Sequence, residues 1–272
     1  MPDPSIDHAA LGARFAELHA AGTFVMPNVA DAGTAAALRE VGVDAIATTS
    51  SAHARTIGRE DAAGDVTMEE HAEHTEVLVR AADLPCNVDA ENGYAHEPEG
   101  MAAAVQRFAA TGAAGIGIED WSGDPEIGTY ERSLAVARIE AAVEAAKALD
   151  RPFVITGRTD VFLNEDGDQV AEATARLEAF GAVGAHCLYA PGTGDADLVR
   201  SWVTNLDTAL NVLVPLGRPG WWPADQPLFT VSQAAALGVR RISIGGSLYS
   251  AQVRHAVDVI RGVLETGSFE PT

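Results

Sequence analysis

The feature that most limits the possible folds of this chain is a regular alternation of short apolar runs with longer, alanine-rich amphipathic stretches. Eight apolar runs of strand length occur, at 24–28, 45–49, 86–89, 115–119, 153–157, 186–190, 211–215 and 241–245. The stretches between them have helical periodicity, at 34–41, 69–82, 98–111, 133–149, 169–180, 196–205 and 231–237. Repeated units of this kind predict parallel strands joined by crossover helices. Eight of them predict a (β/α)8 TIM barrel.

The alternation continues without a linker rich in proline, glycine and serine, so we predict a single domain over residues 1–272. Glycines precede several strands, at points where a helix must end and the chain must reverse: Gly42, Gly112, Gly181 and Gly238. A leading helix is predicted over 12–21, and a further helical pattern covers 252–264. The sequence leaves open whether that last helix packs on its own barrel or on a neighbouring copy.

The charge balance argues against two classes of partner. The 39 acidic and 18 basic residues give a formal net charge of -21, which disfavours nucleic acid and anionic membranes. No run approaches the roughly eighteen apolar residues of a membrane span, and the N-terminus lacks the basic region of a signal peptide. Cys86 and Cys187 lie in apolar runs, which predicts buried free thiols in a reducing compartment. We therefore expect a cytoplasmic protein.

Acidic residues follow two consecutive predicted strands. Asp89 and Glu91 end the third apolar run, and Glu119 and Asp120 end the fourth. The carboxyl ends of neighbouring parallel strands meet at one edge of a sheet, so these acids are expected to converge. Oxygen-only ligands of that kind suit Mg²⁺ or Mn²⁺.

Other strand ends are also polar, which matters because reactive groups in such barrels come from the carboxyl ends of the strands. The first, second and fifth strands present, in order, Asn28 and Asp31, then Thr49, Ser50 and Ser51, then Arg158 and Asp160. A single acid in such a position is more often a helix cap or a loop ion pair. Polar groups at five consecutive strand ends favour a functional site instead.

Six segments then carry a resemblance to a known group. They are PNVADA at 27–32, TSSA at 49–52, GRED at 58–61, DAENGY at 89–94, GIED at 117–120 and ITGRTD at 155–160. In this order and spacing they resemble the isocitrate lyase and phosphoenolpyruvate mutase superfamily, from about Phe24 to Gly246. The resemblance implies a TIM barrel of that type and a homo-oligomer, a dimer or tetramer, in which the last helix is exchanged between subunits.

The resemblance also implies roles for individual residues. Mg²⁺ or Mn²⁺ would be held directly or through water by four carboxylates: Asp89, Glu91, Glu119 and Asp61. The stretch that receives the substrate carboxylate corresponds to Ser50, Ser51 and Ala52, and Asp89 borders the same place. Arg158 corresponds to the arginine that binds an anionic arm of the substrate, a role that suits the guanidinium fork. The implied catalytic residues are Arg158, Glu119 and Ser51.

The chemistry of these residues indicates a reaction type independently of the family resemblance. A divalent ion that chelates a small anionic 2-oxo acid would stabilise an enolate, which allows a bond beta to the carboxylate to break. We therefore expect a lyase that cleaves a carbon–carbon bond of a 2-oxo or 2-hydroxy di- or tricarboxylate. Two alternatives stay open: a phosphorus–carbon bond enzyme of the carboxyvinyl-carboxyphosphonate phosphorylmutase or phosphonopyruvate type, and a non-catalytic carboxylate-binding barrel.

One segment departs from the superfamily pattern. Lyases of this group that act on isocitrate or 2-methylisocitrate have a Lys-x-Cys-Gly-His lid after the fourth strand, whereas this chain has WSGDPEIGTY at 121–130. That segment is expected to be a lid, with Gly123 and Gly128 as hinges and Trp121 as a cover. Its candidate proton-transfer groups are Tyr130, Ser122 and Glu126.

Three further patterns have both a functional and a structural interpretation. Residues 69–74, EEHAEH, are expected to be a solvated helix face rather than a metal site. The glycines and serine at 245–247 after the eighth strand fit either phosphate binding or a tight turn. Tyr189, at the end of the sixth strand, is placed either at the border of the pocket or in the core.

Overall fold

The computed structural model of the chain describes residues 6–60, 65–164, 168–220 and 222–270. Its centre is a ring of eight parallel strands: β1 (Phe24–Met26), β2 (Ile46–Ala47), β3 (Cys86–Asp89), β4 (Gly115–Glu119), β5 (Val154–Arg158), β6 (Cys187–Tyr189), β7 (Ala209–Leu213) and β8 (Arg241–Ser243). The strands are hydrogen-bonded in the order β1-β8-β7-β6-β5-β4-β3-β2. The ring is closed between β1 and β2 by a parallel bridge from Asn28 to Ala47.

Helices follow the strands around the outside of the ring. They are α1 (His8–Ala20), α2 (Ala32–Val41), α3 (Ser50–Thr56), α4 (Met68–Ala82), α5 (Met101–Ala109), α6 (Arg132–Lys147), α7 (Val161–Asn164), α8 (Gln169–Ala182), α9 (Ala196–Asn205), α10 (Val231–Leu237) and α11 (Ser247–Thr266). The predicted (β/α)8 barrel is confirmed. The short helices α3 and α7 lie directly after β2 and β5, in stretches without a helical pattern of their own.

Local sequence explains where several helices begin and end. Asp31 caps α2 by accepting a hydrogen bond from the Thr34 backbone N–H, and Thr67 begins α4 with a reciprocal capping box to Glu70. Gly42 and Gly238 end α2 and α10 in the left-handed conformation, with φ of 87° and 90°. Gly181 was predicted to end a helix, but it lies inside α8.

The barrel has an apolar exterior core and a largely polar interior. Outside the ring, strand side chains such as Ile116, Ile118 and Leu188 pack against the helices in one large apolar cluster. Phe15 of α1 covers the amino end of the barrel together with Phe24 and Met26. Inside the ring, inward positions of five strands carry polar side chains instead: Asn87, Thr156, Tyr189, Asn211, Arg241 and Ser243. The carboxyl end of the barrel is therefore open and hydrophilic.

Helix α11 differs from the other long helices because none of its 20 residues is buried. Val253, Val257, Ile260 and Leu264 repeat along one face of it, and all four side chains are exposed. The free thiols predicted for Cys86 and Cys187 are confirmed, and both are buried. Within the described ranges, no helix combines the length and apolarity needed to cross a bilayer.

Candidate active site

Two adjoining cavities open at the carboxyl ends of the strands. The larger has a volume of about 780 Å³ and extends into the barrel. The smaller, of about 430 Å³, is bordered by the segment that follows β4. Ser50, Arg158 and Leu163 line both cavities. Since the catalytic groups of TIM barrels come from this end of the strands, the pair of cavities is the candidate active site.

Arg158, the last residue of β5, lies where the two cavities meet. Asp160 binds it through two parallel bonds, from Nε at 2.6 Å and from Nη2 at 2.7 Å. Its Nη1 is 3.1 Å from Asp89 Oδ1 and 3.0 Å from Glu119 Oε2. Burial opposes the charge of Arg158, yet these carboxylates raise its pKa well above the ordinary value. The guanidinium is thus a fixed cation that three strand ends share.

Asp89 connects β3 to the start of α3. Its Oδ2 accepts hydrogen bonds from the Ser50 backbone N–H at 3.1 Å and from the Ser50 hydroxyl at 3.2 Å. The Ser51 hydroxyl is 3.2 Å from that of Thr49, and both side chains line the larger cavity. Ala52, by contrast, is fully buried, so its side chain does not reach either cavity.

Glu119 and Glu91 face the smaller cavity. Burial raises the pKa of Glu119 well above its ordinary value, Arg158 lowers it, and Asp160, Asp89 and Glu91 raise it further. Glu91 has a positive φ of 48° at the turn that follows β3. The Tyr94 hydroxyl donates a hydrogen bond of 3.4 Å to the Glu91 carboxylate. The site therefore concentrates negative charge that Arg158 alone does not balance.

The donor chemistry fits a divalent cation. Asp89, Glu91 and Glu119 supply only oxygen, the donor atom that hard divalent cations prefer. Burial is the main cause of the raised pKa of Glu119, and the neighbouring carboxylates Asp160, Asp89 and Glu91 raise it further. Among the described residues, no group of three or more His, Cys, Asp or Glu side chains forms a preassembled metal cluster. Mg²⁺ does not need one, because it usually keeps several waters and takes one or two carboxylates plus the substrate. Asp61, the fourth predicted ligand, lies outside the described residues.

Asp120 was expected to converge with the other acids, and this was wrong. Its side chain is buried on the opposite side of the chain from Glu119, where Oδ2 is 3.1 Å from Arg176 Nη1. Its Oδ1 accepts a hydrogen bond of 2.9 Å from the Asp160 backbone N–H. Burial raises the pKa of Asp120 to about 6. Consecutive residues of a strand point to opposite faces, so Glu119 and Asp120 are separated.

Several residues of the cavity wall carried no assigned role in the sequence. Asp160 was noted as a strand-end acid, but its paired bonds with Arg158 were not foreseen. Tyr189 does border the pocket, with its ring centre 5.6 Å from the Arg158 guanidinium carbon. Asn211 and Arg241 also line the larger cavity. The sequence feature that could have identified Asn211 and Arg241 is a polar residue at an inward-facing position of an otherwise apolar strand.

The segment after β4 forms a short turn held by its own hydrogen bonds. The Ser122 backbone N–H donates to the Gly128 carbonyl at 3.1 Å, and the Ser122 hydroxyl donates to the Asp124 carbonyl at 3.0 Å. Trp121 lines the smaller cavity, as does Gly123. The predicted proton-transfer groups do not: Ser122 is buried in this turn, Glu126 is exposed, and Tyr130 is buried with its hydroxyl 2.5 Å from His96 Nδ1.

A chain of hydrogen bonds behind the site leads to a buried histidine of α4. The Asp89 backbone N–H donates to the Thr48 hydroxyl at 2.9 Å, and that hydroxyl is 3.1 Å from His71 Nε2. His71 Nδ1 is 2.7 Å from the Tyr94 hydroxyl. The prediction that residues 69–74 form a solvated face was therefore wrong for His71, whose side chain is fully buried.

Comparison with known proteins agrees with this architecture. The phosphoenolpyruvate phosphomutase family matches residues 15–264. A solved structure from Burkholderia cenocepacia J2315, provisionally assigned as a lyase or mutase, is 35% identical, with a TM-score of 0.87 over 96% of this chain and 91% of that one. Oxaloacetate decarboxylase of Pseudomonas fluorescens (strain SBW25) is 28% identical over 265 residues, 95% of this chain and 86% of the relative.

A further relative, 2-methylisocitrate lyase of Vibrio cholerae, is 27% identical over 214 residues, 76% of this chain and 67% of the relative. The chain belongs to the phosphoenolpyruvate mutase and isocitrate lyase superfamily, as its segments indicated. It is accordingly an enzyme of the lyase and mutase type. The cavity at the mouth of its barrel corresponds to the expected place of catalysis in this fold.

Proposed function

We propose that this enzyme is a Mg²⁺-dependent lyase that cleaves a carbon–carbon bond of a small 2-oxo acid through an enolate. The observation that carries the proposal is the arrangement around Arg158. One guanidinium nitrogen contacts both Asp89 and Glu119, while Asp160 holds the other edge of the group. A cationic anchor and several carboxylate oxygens therefore lie side by side where the two cavities meet.

Asp89, Glu91 and Glu119 would hold the ion, with Asp61 as the fourth ligand that the family resemblance implies. When bound, such an ion stabilises negative charge that develops on the oxygens of a 2-oxo acid. Asp89, Glu119 and Asp160 all contact a single arginine, so one positive charge faces three carboxylates. A divalent cation would correct that imbalance, which supports the assignment.

The residues of the chain would position the substrate. Ser50 and Ser51 present hydroxyl groups to the cavity beside Asp89, which suits a planar carboxylate. Arg158 supplies a guanidinium whose direction Asp160 fixes, so little order is lost when an anion binds. Glu119 is largely shielded from solvent and pairs with Arg158. Its negative charge would help to set the net charge of the site in which the substrate anion develops.

The segment after β4 favours decarboxylation of a 2-oxo diacid over cleavage of a 2-hydroxy acid. Cleavage of a 2-hydroxy acid requires a base that removes the hydroxyl proton, and Ser122, Glu126 and Tyr130 do not line either cavity. Decarboxylation of oxaloacetate breaks only the bond to the departing CO₂, and the resulting enolate of pyruvate then takes one proton, which water can supply. The oxaloacetate decarboxylase among the relatives supports this choice.

The test is turnover of oxaloacetate by the purified protein with Mg²⁺, compared with EDTA and with a protein-free Mg²⁺ blank. We expect metal-dependent release of CO₂ above the blank. Glu119→Gln should lower the rate by roughly two orders of magnitude, because it removes a buried charge of the site. Glu126→Gln, which changes an exposed carboxylate on the segment after β4, is the matched control and should leave the rate unchanged.

The same assay should include phosphonopyruvate and 2-methylisocitrate. Turnover of phosphonopyruvate alone would replace the proposal with phosphorus–carbon bond chemistry, and turnover of 2-methylisocitrate alone would assign a 2-hydroxy acid instead. Binding of oxalate, a mimic of the enolate, without turnover of any of the three would show a carboxylate-binding barrel rather than a lyase.

A further inference from the structure

The larger cavity carries a charge opposite to that of the whole protein. The chain has 18 basic residues and a net charge of -21, yet five arginines line this one cavity: Arg55, Arg158, Arg218, Arg241 and Arg254. Asp89 is the one acidic side chain among the described residues of its wall. A positive cavity in a strongly acidic protein concentrates anions. The proposed function places Arg158 at the reactive end of the substrate. The other four arginines have no role in it.

Three of those arginines lie at the rim, where solvent screens them. Arg55 stacks on Tyr249 with its guanidinium carbon 4.9 Å from the ring centre. Arg218 donates to backbone carbonyls, including that of Pro223 at 2.8 Å. Arg254 is exposed on α11. Exposed cations of this kind contribute little binding energy to a specific contact, so they do not by themselves define a subsite.

Arg241 is different because it is buried inside the barrel without a counter-ion. Only 2% of it is exposed. Its Nε donates to Asn211 Oδ1 at 3.1 Å, its Nη2 donates to Thr156 Oγ1 at 3.0 Å, and its Nη1 is 3.2 Å from His19 Nε2. Within the described ranges no carboxylate pairs with it. A buried cation surrounded only by neutral acceptors retains an uncompensated charge that faces the cavity.

The hydrogen-bond partners of Arg241 do not supply a negative charge that would compensate its guanidinium. Burial, together with the nearby Arg241, lowers the pKa of His19 to about 3, so its ring is neutral at physiological pH and accepts from the guanidinium. Asn211 and Thr156 are neutral at every pH. A guanidinium has five N–H donors, and these contacts use three of them. The other two remain for a ligand in the cavity.

We propose that Arg241 binds a second carboxylate of the substrate and so selects dicarboxylates. Asn211 and Ser243 complete this subsite: the Asn211 Nδ2 group is 3.0 Å from the Ser243 hydroxyl, and both residues line the cavity. This inference rests on the proposed function, in which the 2-oxo end of the substrate lies at Ser50 and Arg158. It adds the residue that recognises the opposite end.

The spacing of the barrel supports this assignment. Thr156, which Arg241 contacts, and Arg158 are two residues apart on β5, and both point into the barrel. Two residues of a strand span about 6.6 Å. The guanidinium of Arg241, which contacts Thr156, therefore lies about one layer of side chains below Arg158, toward the deep end of the same cavity. A short dicarboxylate placed along the barrel axis would reach both arginines.

The experiment compares two ligands that differ only at the distal end, 2-oxoglutarate and 2-oxopentanoate. Their affinities are measured by calorimetry with Mg²⁺ present, and oxalate serves as a probe of the reactive end alone. We expect the wild type to bind 2-oxoglutarate at least tenfold more tightly than 2-oxopentanoate. Arg241→Gln should bring the two affinities within about twofold of each other while oxalate binding is retained.

Four further variants keep the test decisive. Arg241→Lys should retain part of the preference for the diacid that Arg241→Gln loses, because lysine keeps the positive charge but lacks the planar guanidinium fork. Ser243→Ala, which leaves Arg241 in place, should reduce the preference several-fold even if Arg241→Gln fails to fold. Arg55→Gln and Arg254→Gln are the matched rim controls and should leave the preference unchanged.

A wild type without preference for the diacid would overturn the proposal, and so would loss of the preference in the rim variants with retention in Arg241→Gln. Oxalate separates this failure from failure of the proposed function. If oxalate does not bind, the reactive end is wrongly assigned, and glutarate compared with pentanoate, neither of which has a 2-oxo group, still tests Arg241.

Discussion

Arg158 is shared by three carboxylates, and the way it is shared sets the charge of the site. Asp160 occupies the Nε and Nη2 edge completely, so Asp89 and Glu119 both depend on Nη1. Two carboxylates at one donor are less well neutralised than one, and burial sharpens their repulsion. Binding of a proton or of a second cation therefore stabilises the site. A metal-dependent enzyme needs this property.

Asp89→Asn should weaken Mg²⁺ binding at least tenfold with little change of fold. The amide can still accept the hydrogen bonds that Asp89 receives from Ser50, but it lacks the charge that a hard cation requires. Calorimetric titration with Mg²⁺ measures the effect. Asp44→Asn, which removes an exposed carboxylate paired with Arg14, is the control. Equal Mg²⁺ affinity in wild type and Asp89→Asn would exclude Asp89 as a ligand.

His71 should make the protein less stable in acid. Burial, with smaller contributions from His53 and His74, lowers its pKa to about 3. Between pH 6.5 and 3 the unfolded state binds the proton and the folded state does not, so the stability that neutral His71 provides is complete above pH 6.5 and is lost as the pH falls. From pH 7 to pH 5 this loss amounts to roughly 2 kcal/mol.

The measurement is the free energy of unfolding in denaturant at pH 7 and pH 5 for wild type and His71→Gln. Asp120 acts in the opposite direction, because its raised pKa of about 6 favours the folded state as the pH falls through that value. The readout is therefore the difference between the two proteins, which should shrink at pH 5. His255→Gln, on the exposed part of α11, should change nothing. A difference that does not depend on pH would refute the role of His71.

For individual residues, position at the end of a predicted strand correctly identified four that meet at the mouth of the barrel: Ser50, Asp89, Glu119 and Arg158. It failed where side-chain direction matters: Asp120 follows Glu119 but points to the opposite face. It also missed His71, because a histidine next to Glu69 and Glu70 has the pattern of a solvated helix. Burial of His71 depends on Tyr94 and Thr48, which are distant in sequence and which only the fold brings to it.

At the scale of elements, every predicted strand is present, because apolar runs in a βα alternation have few other uses. The short helices α3 and α7 were not predicted, since four to seven residues carry too little periodicity to identify a helix. Both begin next to active-site residues, Ser50 and Asp160. The elements that position the chemistry are thus the ones with the weakest local signal.

The segment after β4 should act in substrate retention. Trp121→Ala is expected to raise KM for the substrate roughly tenfold, since an aromatic contact over the smaller cavity is lost. The free energy of unfolding should change little, because the turn is held by its backbone and by Ser122. Ile127→Ala, an exposed apolar residue of the same segment, is the control for general effects of truncation. An unchanged KM would mean that the segment does not cover the substrate.

At the scale of the whole molecule, α11 leaves a surface that a single barrel does not explain. Its apolar residues repeat every three or four positions along one face, and its polar residues, among them Asp258 and Arg261, pair with each other. A helix of 20 residues with such a stripe and no buried side chain requires a partner to remove that stripe from water. We propose that a second copy of the chain is this partner, as the exchanged helix implied by the family resemblance requires.

Ile260→Glu should convert the oligomer to monomers, because it places a charge in the middle of the apolar stripe. Sedimentation velocity at micromolar concentration is expected to show a dimer or tetramer for the wild type and a smaller species for the variant. Val41→Glu introduces the same charge at an exposed apolar position of α2 and should leave the assembly intact. A monomeric wild type would contradict the proposal. If the assembly forms but survives Ile260→Glu, the contact lies elsewhere, and the exposed face of α11 needs another explanation.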